Sequence, residues 1–160
     1  MRRLPPMSGR PVRIERLRGL RDRRGPVDAG AFLRQRRIAF DCEAGEFARI
    51  FTHELFHFVW WRAGNPARRS FEELLEGEWL AGASGELGWS AQWRKDGLCA
   101  ADVMARSRRW REYCVESFCD TAAWLYAGAG RHAEFTLEGR YRPARRAWFR
   151  MLVSRGQLSI

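Results

Sequence analysis

The most regular pattern of apolar positions lies in residues 42–63. The apolar residues of this stretch surround most of a helical circumference, and they are Phe47, Ile50, Phe51, Leu55, Phe58, Val59 and Trp60. This distribution predicts a helix that is buried on nearly all sides. Asp41 is a suitable N-cap residue, and the run Gly64-Asn65-Pro66 is suited to end the helix. The pattern therefore predicts one long helix at the centre of the fold.

Weaker periodicities predict the remaining elements. Helices are expected at 68–81, at 101–128 with a break near Ser107, and at 142–153. Strands are expected at 12–15, 34–40 and 134–137, and the Gly-rich stretch 83–97 is expected to be a loop. We therefore expect an Arg/Pro/Gly-rich N-terminal segment, 1–30, with a possible edge strand, followed by a single α+β domain over 31–160.

Composition and charge narrow the class of protein. With 160 residues, of which 46% are apolar and 13% aromatic, the chain can bury a core, which excludes disorder. The formal net charge is +10, but all basic residues except Lys95 are arginine and they are mixed with acidic residues. No nucleic-acid-binding motif accompanies them, so we do not expect nucleic acid to be the partner.

Cellular location is predicted from what the sequence lacks. It contains no apolar run of membrane-spanning length, and no apolar segment follows the basic residues at the N-terminus. The four cysteines, at positions 42, 99, 114 and 119, form no C-x-x-C pair or regular framework, which favours free thiols in a reducing compartment. We therefore expect a cytoplasmic protein without a membrane span.

The chemistry is indicated by the segment His53-Glu54-Leu55-Phe56-His57, an H-E-x-x-H motif inside the predicted central helix. Residues four apart share a helical face, so His53 and His57 can bind one Zn²⁺. Glu54 is then placed to act as general base toward a water activated by the metal. The motif predicts a zinc-dependent hydrolase.

A catalytic zinc site normally has a third protein ligand, and the sequence leaves several candidates open. Glu116 and Asp120 are four residues apart on a helix expected to be buried, where carboxylates are costly unless they are paired or bind a metal. His132 and the cysteines Cys114 and Cys119 are the other possibilities.

These two motifs together resemble the gluzincin group of zinc metallopeptidases, in which H-E-x-x-H is followed on a second helix by E-x-x-x-D. The resemblance covers roughly 40 residues. It implies a small zincin-like α+β domain in which the motif helix packs on the second helix beside a short antiparallel sheet. It also implies that His53, His57 and Glu116 bind Zn²⁺, that Glu54 is the base, and that Asp120 orients His53 by a hydrogen bond.

The expected activity is hydrolysis of peptide bonds in a protein or peptide substrate, with the oligomeric state left open. A hydrogen-bond donor must stabilise the oxyanion, and His132 is the leading candidate over Tyr113, Tyr126, Tyr141 and any arginine near the cleft. The predicted strand 34–40 could align the substrate by strand addition. Two alternatives remain, a non-catalytic zinc-containing regulatory or binding protein and a basic nucleic-acid-associated factor.

Overall fold

The computed structural model of the chain describes residues 4–22 and 25–160 as a mixed α+β fold. Its strands are β1 (Met7–Ser8), β2 (Arg13–Arg16), β3 (Ala29–Phe32), β4 (Arg37–Phe40) and β5 (Leu158–Ser159). Its helices are α1 (Phe47–Arg62), α2 (Asn65–Leu80), α3 (Trp89–Asp96), α4 (Ala100–Met104), α5 (Arg108–Tyr126) and α6 (Arg142–Ser154). No described helix has the length and apolar character needed to cross a membrane.

The central position of α1 is confirmed. On one side, Ile50, Leu55 and Phe58 pack with Ile38 and Phe40 of β4. On another side, side chains of α1 join the larger cluster formed by α2, α5 and α6, whose buried aromatic members are Phe56, Phe71, Trp110, Tyr113, Phe118, Trp148 and Phe149. Helix α1 is therefore held between a small sheet and a layer of helices, and it packs on α5 as expected.

The three-stranded sheet differs from the expectation in two respects. Its order is β2-β4-β3, with β2 parallel and β3 antiparallel to β4, so the sheet is mixed and not antiparallel. The predicted strand 34–40 is shortened, because a 3₁₀ turn occupies Leu33–Gln35 and Arg36 has a left-handed backbone with φ of 48°. Both edges of β4 are paired, so the prediction that it aligns a substrate by strand addition is wrong.

The N-terminal part of the chain pairs with later segments. Strand β2 confirms the predicted strand at 12–15, displaced by one residue, and it lies at an edge of the sheet. The predicted boundary between residues 30 and 31 falls inside β3. Strands β1 and β5 form a separate parallel pair that joins the two ends of the chain and was not predicted.

The start of α1 also differs from the prediction. The helix begins at Phe47, where the apolar pattern begins, and Glu46 is its N-cap residue. Asp41 does not cap it, since the Asp41 carboxylate accepts hydrogen bonds from the backbone N–H groups of Gly19 and Leu20. The carboxylate therefore fastens the loop after β2 instead of a helix terminus.

The other predicted helices correspond to α2, to α4 with α5, and to α6. Helix α2 begins three residues earlier than expected, with Pro66 in its first turn. The predicted break near Ser107 is confirmed, since Ser107 separates α4 from α5 and its Oγ accepts a hydrogen bond from the Trp110 N–H. The last predicted helix is α6.

Two predictions outside the long helices are wrong. The stretch 83–97 is not only a loop, because it contains α3. Residues 134–137 form no strand, and the N–H groups of Thr136 and Leu137 instead donate to the carbonyl of Glu86. Both segments contribute residues to the cleft that His53 lines.

Candidate metal centre

The two histidines of the motif meet on the face of α1 that is turned toward α5. Their spacing of four residues places both imidazoles over one turn, and the Nε2 atoms of His53 and His57 are 3.2 Å apart. The His53 ring is buried and the His57 ring is partly buried. Two ring nitrogens that can each donate a lone pair therefore point at a common position.

Helix α5 brings both predicted carboxylates to this position. An oxygen of Glu116, Oε2, lies 3.2 Å from His53 Nε2 and 3.9 Å from His57 Nε2. Asp120 Oδ1 lies 2.7 Å from His53 Nδ1. Because an ionised carboxylate only accepts hydrogen bonds, His53 donates from Nδ1 to Asp120, and Nε2 is the ring nitrogen that remains to bind a cation, either a proton or a metal ion.

The charges around the histidines favour a cation at this position. Burial by itself lowers the pKa of His53, but the carboxylates of Asp120 and Glu116 outweigh it and raise that pKa well above its usual value. Burial by itself raises the pKa of Glu116, but its hydrogen bond with His53 and the charges of His57, His53 and Arg94 lower that pKa to about 2. Glu116 is therefore ionised at neutral pH and available as a ligand.

A cysteine offers a second possible ligand that the resemblance did not imply. The thiol of Cys119 and the ring nitrogens of His53 and His57 all lie within 4.8 Å of one another. Burial, followed by the charges of Glu116, Asp120 and Glu54, raises the pKa of the Cys119 thiol well above its usual value. The protein alone thus keeps this thiol neutral, whereas it keeps Glu116 charged.

Glu54 and His53 line an open cleft of about 460 Å³. The opposite walls come from residues 26–29, which lead into β3, and from Trp89, Ser90 and Trp93 of α3. Glu54 is partly buried and lies at the border of this cleft. The cleft also includes Arg49, which forms ion pairs with Glu46 and Glu134.

The structure does not bring the predicted oxyanion donor into this cleft. His132 is not among the residues that line it, and both of its ring nitrogens have partners. His132 Nε2 lies 3.2 Å from Glu46 Oε1, and Nδ1 accepts a hydrogen bond from the Glu134 N–H.

The tyrosine alternatives are also directed elsewhere. Tyr113 donates to the buried carboxylate of Glu86, and Tyr141 donates to the carbonyl of Ala81. Tyr126 stacks on Phe56 in the core. None of the three is among the residues that line the cleft.

Sequence reasoning missed three contributions from α3 and the residue before it. The Ala91 N–H donates to Asp120, the Arg94 guanidinium pairs with Glu116, and Gly88 packs against the Asp120 carboxylate. A carboxylate that is predicted to be buried needs hydrogen-bond donors, so the sequence does indicate that Glu116 and Asp120 have partners elsewhere in the chain. The sequence did not reveal which residues provide them, because these contacts join segments more than twenty residues apart.

Comparisons of this chain with protein families, with curated proteins and with solved structures find no match.

Proposed function

We propose that the chain is a zinc-dependent metallopeptidase with a zincin-like fold, in which His53, His57 and Glu116 bind Zn²⁺. The observation that carries this proposal is the convergence of two imidazole nitrogens and an ionised carboxylate oxygen within 3.9 Å of one another. Two imidazoles and one carboxylate are a donor set that suits zinc and leaves a coordination position open. The hydrogen bond from His53 to Asp120 supports the same assignment.

The chemistry divides between the metal and the side chains. A zinc ion held by His53, His57 and Glu116 would supply the polarisation of the scissile carbonyl and the activation of a water molecule at neutral pH. Glu54, adjacent to His53 and exposed to the cleft, accepts a proton from that water and transfers it to the leaving amine nitrogen. Asp120 keeps His53 in the tautomer and orientation that metal binding requires.

The sheet edge beside the cleft suits an extended peptide. Strand β3 is paired with β4 on one side only in the described sheet, and residues 26–29 at its start line the cleft with Glu54. A peptide that adds to this edge would place its backbone next to the proposed base. Strand addition is therefore proposed at β3 and not at β4.

The proposal is tested by metal analysis and by one substitution. Protein purified without chelator should contain about one zinc per chain. Glu54→Gln should retain that zinc and lose about 100-fold or more of the hydrolysis of an unstructured protein. Glu73→Gln, at an exposed position of α2, is the matched control and should keep parental activity.

Two results would overturn the peptidase proposal. One is the absence of any transition metal even after reconstitution. The other is unchanged hydrolysis by metal-loaded Glu54→Gln protein.

A second candidate function follows from the position of Cys119. If the Cys119 thiol bound zinc together with His53, His57 and Glu116, four protein ligands would close the site, which is typical of structural zinc and not of catalytic zinc. The chain would then be a zinc-containing binding protein in which Glu54 has no chemical role.

Cobalt substitution distinguishes the two functions. A thiolate ligand gives Co²⁺ a strong near-ultraviolet charge-transfer band that imidazole and carboxylate ligands do not give. The peptidase proposal expects no such band, and it expects Cys119→Ala and Cys114→Ala to have the parental spectrum. Cys114 is the matched control, because it is also buried on α5 but does not belong to the histidine cluster. A band that disappears only in Cys119→Ala would favour the structural site.

A further inference from the structure

We propose that α3 and the glycine before it are the positioning element of the metal centre, because they hold both acidic partners of the histidines. Gly88 and the Ala91 N–H fix Asp120, while Arg94 fixes Glu116. This inference rests on the proposed function for its biological meaning. The geometry it describes is a property of the protein alone.

The first contact concerns the Asp120 carboxylate, whose two oxygens have different partners. Oδ1 accepts from His53 Nδ1 at 2.7 Å, and Oδ2 accepts from the Ala91 N–H at 2.9 Å. A carboxylate that is held at both oxygens has a fixed plane, so its bond to His53 fixes the imidazole as well. The backbone of α3 therefore determines the direction in which His53 Nε2 points.

Gly88 makes this approach of the backbone possible. A Cβ atom at this position would lie 2.2–2.4 Å from the carboxylate carbon and both oxygens of Asp120, which is far inside van der Waals contact. The backbone of Gly88 is extended, with φ of 179°, a conformation open to any residue. Glycine is needed here for space, and a larger residue must displace either Asp120 or α3.

The second contact concerns Glu116. Arg94 Nη2 lies 3.1 Å from Oε1, whereas Oε2 is the oxygen that lies near the two imidazoles. The guanidinium is itself fixed, since Nη1 donates to the Ser90 carbonyl and the group lies 4.2 Å from the centre of the Trp93 ring. Arg94 therefore restricts Glu116 to presenting one oxygen toward the site.

Helix α3 has a defined position because the segment before it is anchored in the core. Glu86 is fully buried, its carboxylate pairs with Arg145 of α6, and its carbonyl accepts the N–H groups of Thr136 and Leu137. Lys95, near the end of α3, donates back to the Gly85 carbonyl. These contacts fix the helix from both ends, so Asp120 and Glu116 are held before any metal binds.

The test uses Gly88→Ala, with Gly97→Ala as its matched control. Gly97 follows the other end of α3, and a Cβ there would meet its nearest atom at an ordinary 3.5 Å. Gly88→Ala should weaken zinc binding about 10- to 100-fold in a chelator competition titration, as expected when a metal-bound histidine loses its orienting partner. Gly97→Ala should bind zinc like the parent.

A double mutant separates positioning from a general loss of structure. In an Asp120→Ala background the clashing carboxylate is absent, so adding Gly88→Ala should change zinc affinity by less than about threefold. Equal losses from Gly88→Ala in both backgrounds would overturn the proposed role of Gly88.

Arg94→Gln tests the second contact independently. It should weaken zinc binding about 10-fold, with partial rescue by Arg94→Lys, which keeps the charge. Arg109→Gln is the control, because it removes the same charge from an exposed arginine that lines the same surface pocket as Arg94. Arg94→Gln with parental affinity, or Arg109→Gln with an equal loss, would overturn the role of Arg94.

A measurement on metal-free protein distinguishes this inference from the proposed function. The His53 Nδ1 proton, hydrogen-bonded to Asp120, should give a downfield NMR resonance that Gly88→Ala shifts or abolishes and Gly97→Ala preserves. If the parent protein shows this resonance and Gly88→Ala shifts or abolishes it, the positioning of Asp120 is supported even when the parent neither binds zinc nor hydrolyses peptides. The absence of zinc binding and hydrolysis would then refute only the proposed function. An unchanged resonance in folded Gly88→Ala protein would overturn the positioning role itself.

Discussion

Replacing Arg145 by methionine should be the most destabilising single change in the layer that supports the proposed metal centre. The Arg145 side chain is fully buried, and it donates to the carboxylates of Glu78 and Glu86 over distances of 2.6 to 3.1 Å. It also donates to the hydroxyl oxygens of Ser117 and Thr121. This one guanidinium therefore joins α2, α5, α6 and the segment before α3.

The magnitude follows from the charges that remain. Glu78 and Glu86 are balanced by Arg145 and by Lys95, whose Nζ lies 3.4 Å from Glu86 Oε1. Without Arg145, buried Glu78 loses the guanidinium that it pairs with and Glu86 retains Lys95, and breaking a buried ion pair in this way costs about 3–5 kcal/mol. For a domain of this size each kcal/mol lowers the melting temperature by about 2–4 °C, so a decrease on the order of 6–20 °C is expected.

Thermal and urea unfolding followed by circular dichroism measure this loss. Arg106→Met is the matched control, because Arg106 also pairs with two glutamates, Glu72 and Glu76, but its side chain is 37% exposed. Exposed pairs contribute about 0–1 kcal/mol. If Arg145→Met destabilised the protein no more than Arg106→Met, the buried cluster would not support the fold as argued.

Three further predictions concern pH, the cleft and the metal. Burial by itself raises the pKa of Glu86, but Arg145 outweighs burial and lowers that pKa below its usual 4.5. The ionised carboxylate therefore stabilises the fold above about pH 4.5, and this stabilisation is lost as the pH falls through the pKa of Glu86 in the folded protein. A melting temperature that is independent of pH between 5 and 3 would contradict this prediction. Trp89→Ala should raise KM for peptides severalfold in steady-state kinetics, while Leu80→Ala, which removes an exposed apolar side chain at the end of α2 outside the cleft, should not. Zinc at about 100 times its Kd should stabilise the parent by about 2.7 kcal/mol in thermal unfolding and leave His57→Ala unchanged.

The proposed chemistry of the site could be read from the sequence because it depends on short spacings within helices. The intervals from His53 to His57 and from Glu116 to Asp120 place each pair on one face of any helix that contains them. The apolar pattern was sufficient to predict that α1 is central and that α5 is buried. The meeting of the two helices did not follow from these spacings and was implied only by the resemblance, and the structure shows it at the hydrogen bond between His53 and Asp120.

The parts that were missed depend on contacts between distant segments. Asp41 resembles a helix N-cap locally, but its carboxylate binds backbone N–H groups of Gly19 and Leu20, about twenty residues earlier. Helix α3 spans only Trp89–Asp96, and its two tryptophans are partly exposed, so no apolar stripe marks it as a helix. The order of the sheet, with β4 in the centre, likewise results from pairings that no local pattern contains.

The structure also changes the reason for placing a metal beside Glu116. From the sequence, a buried carboxylate at this position required a cation, and a metal was the natural candidate. Arg94 provides a cation for Oε1, so burial of Glu116 does not by itself require a metal. The stronger reason is the other oxygen of Glu116, Oε2, which lies near the Nε2 atoms of His53 and His57. The Nδ1 atom of His53 is already hydrogen-bonded to Asp120, so Nε2 is the nitrogen that faces this position. Three acceptors that converge in this way need either a shared proton or a metal cation, and the proposed zinc ion would satisfy all three at once.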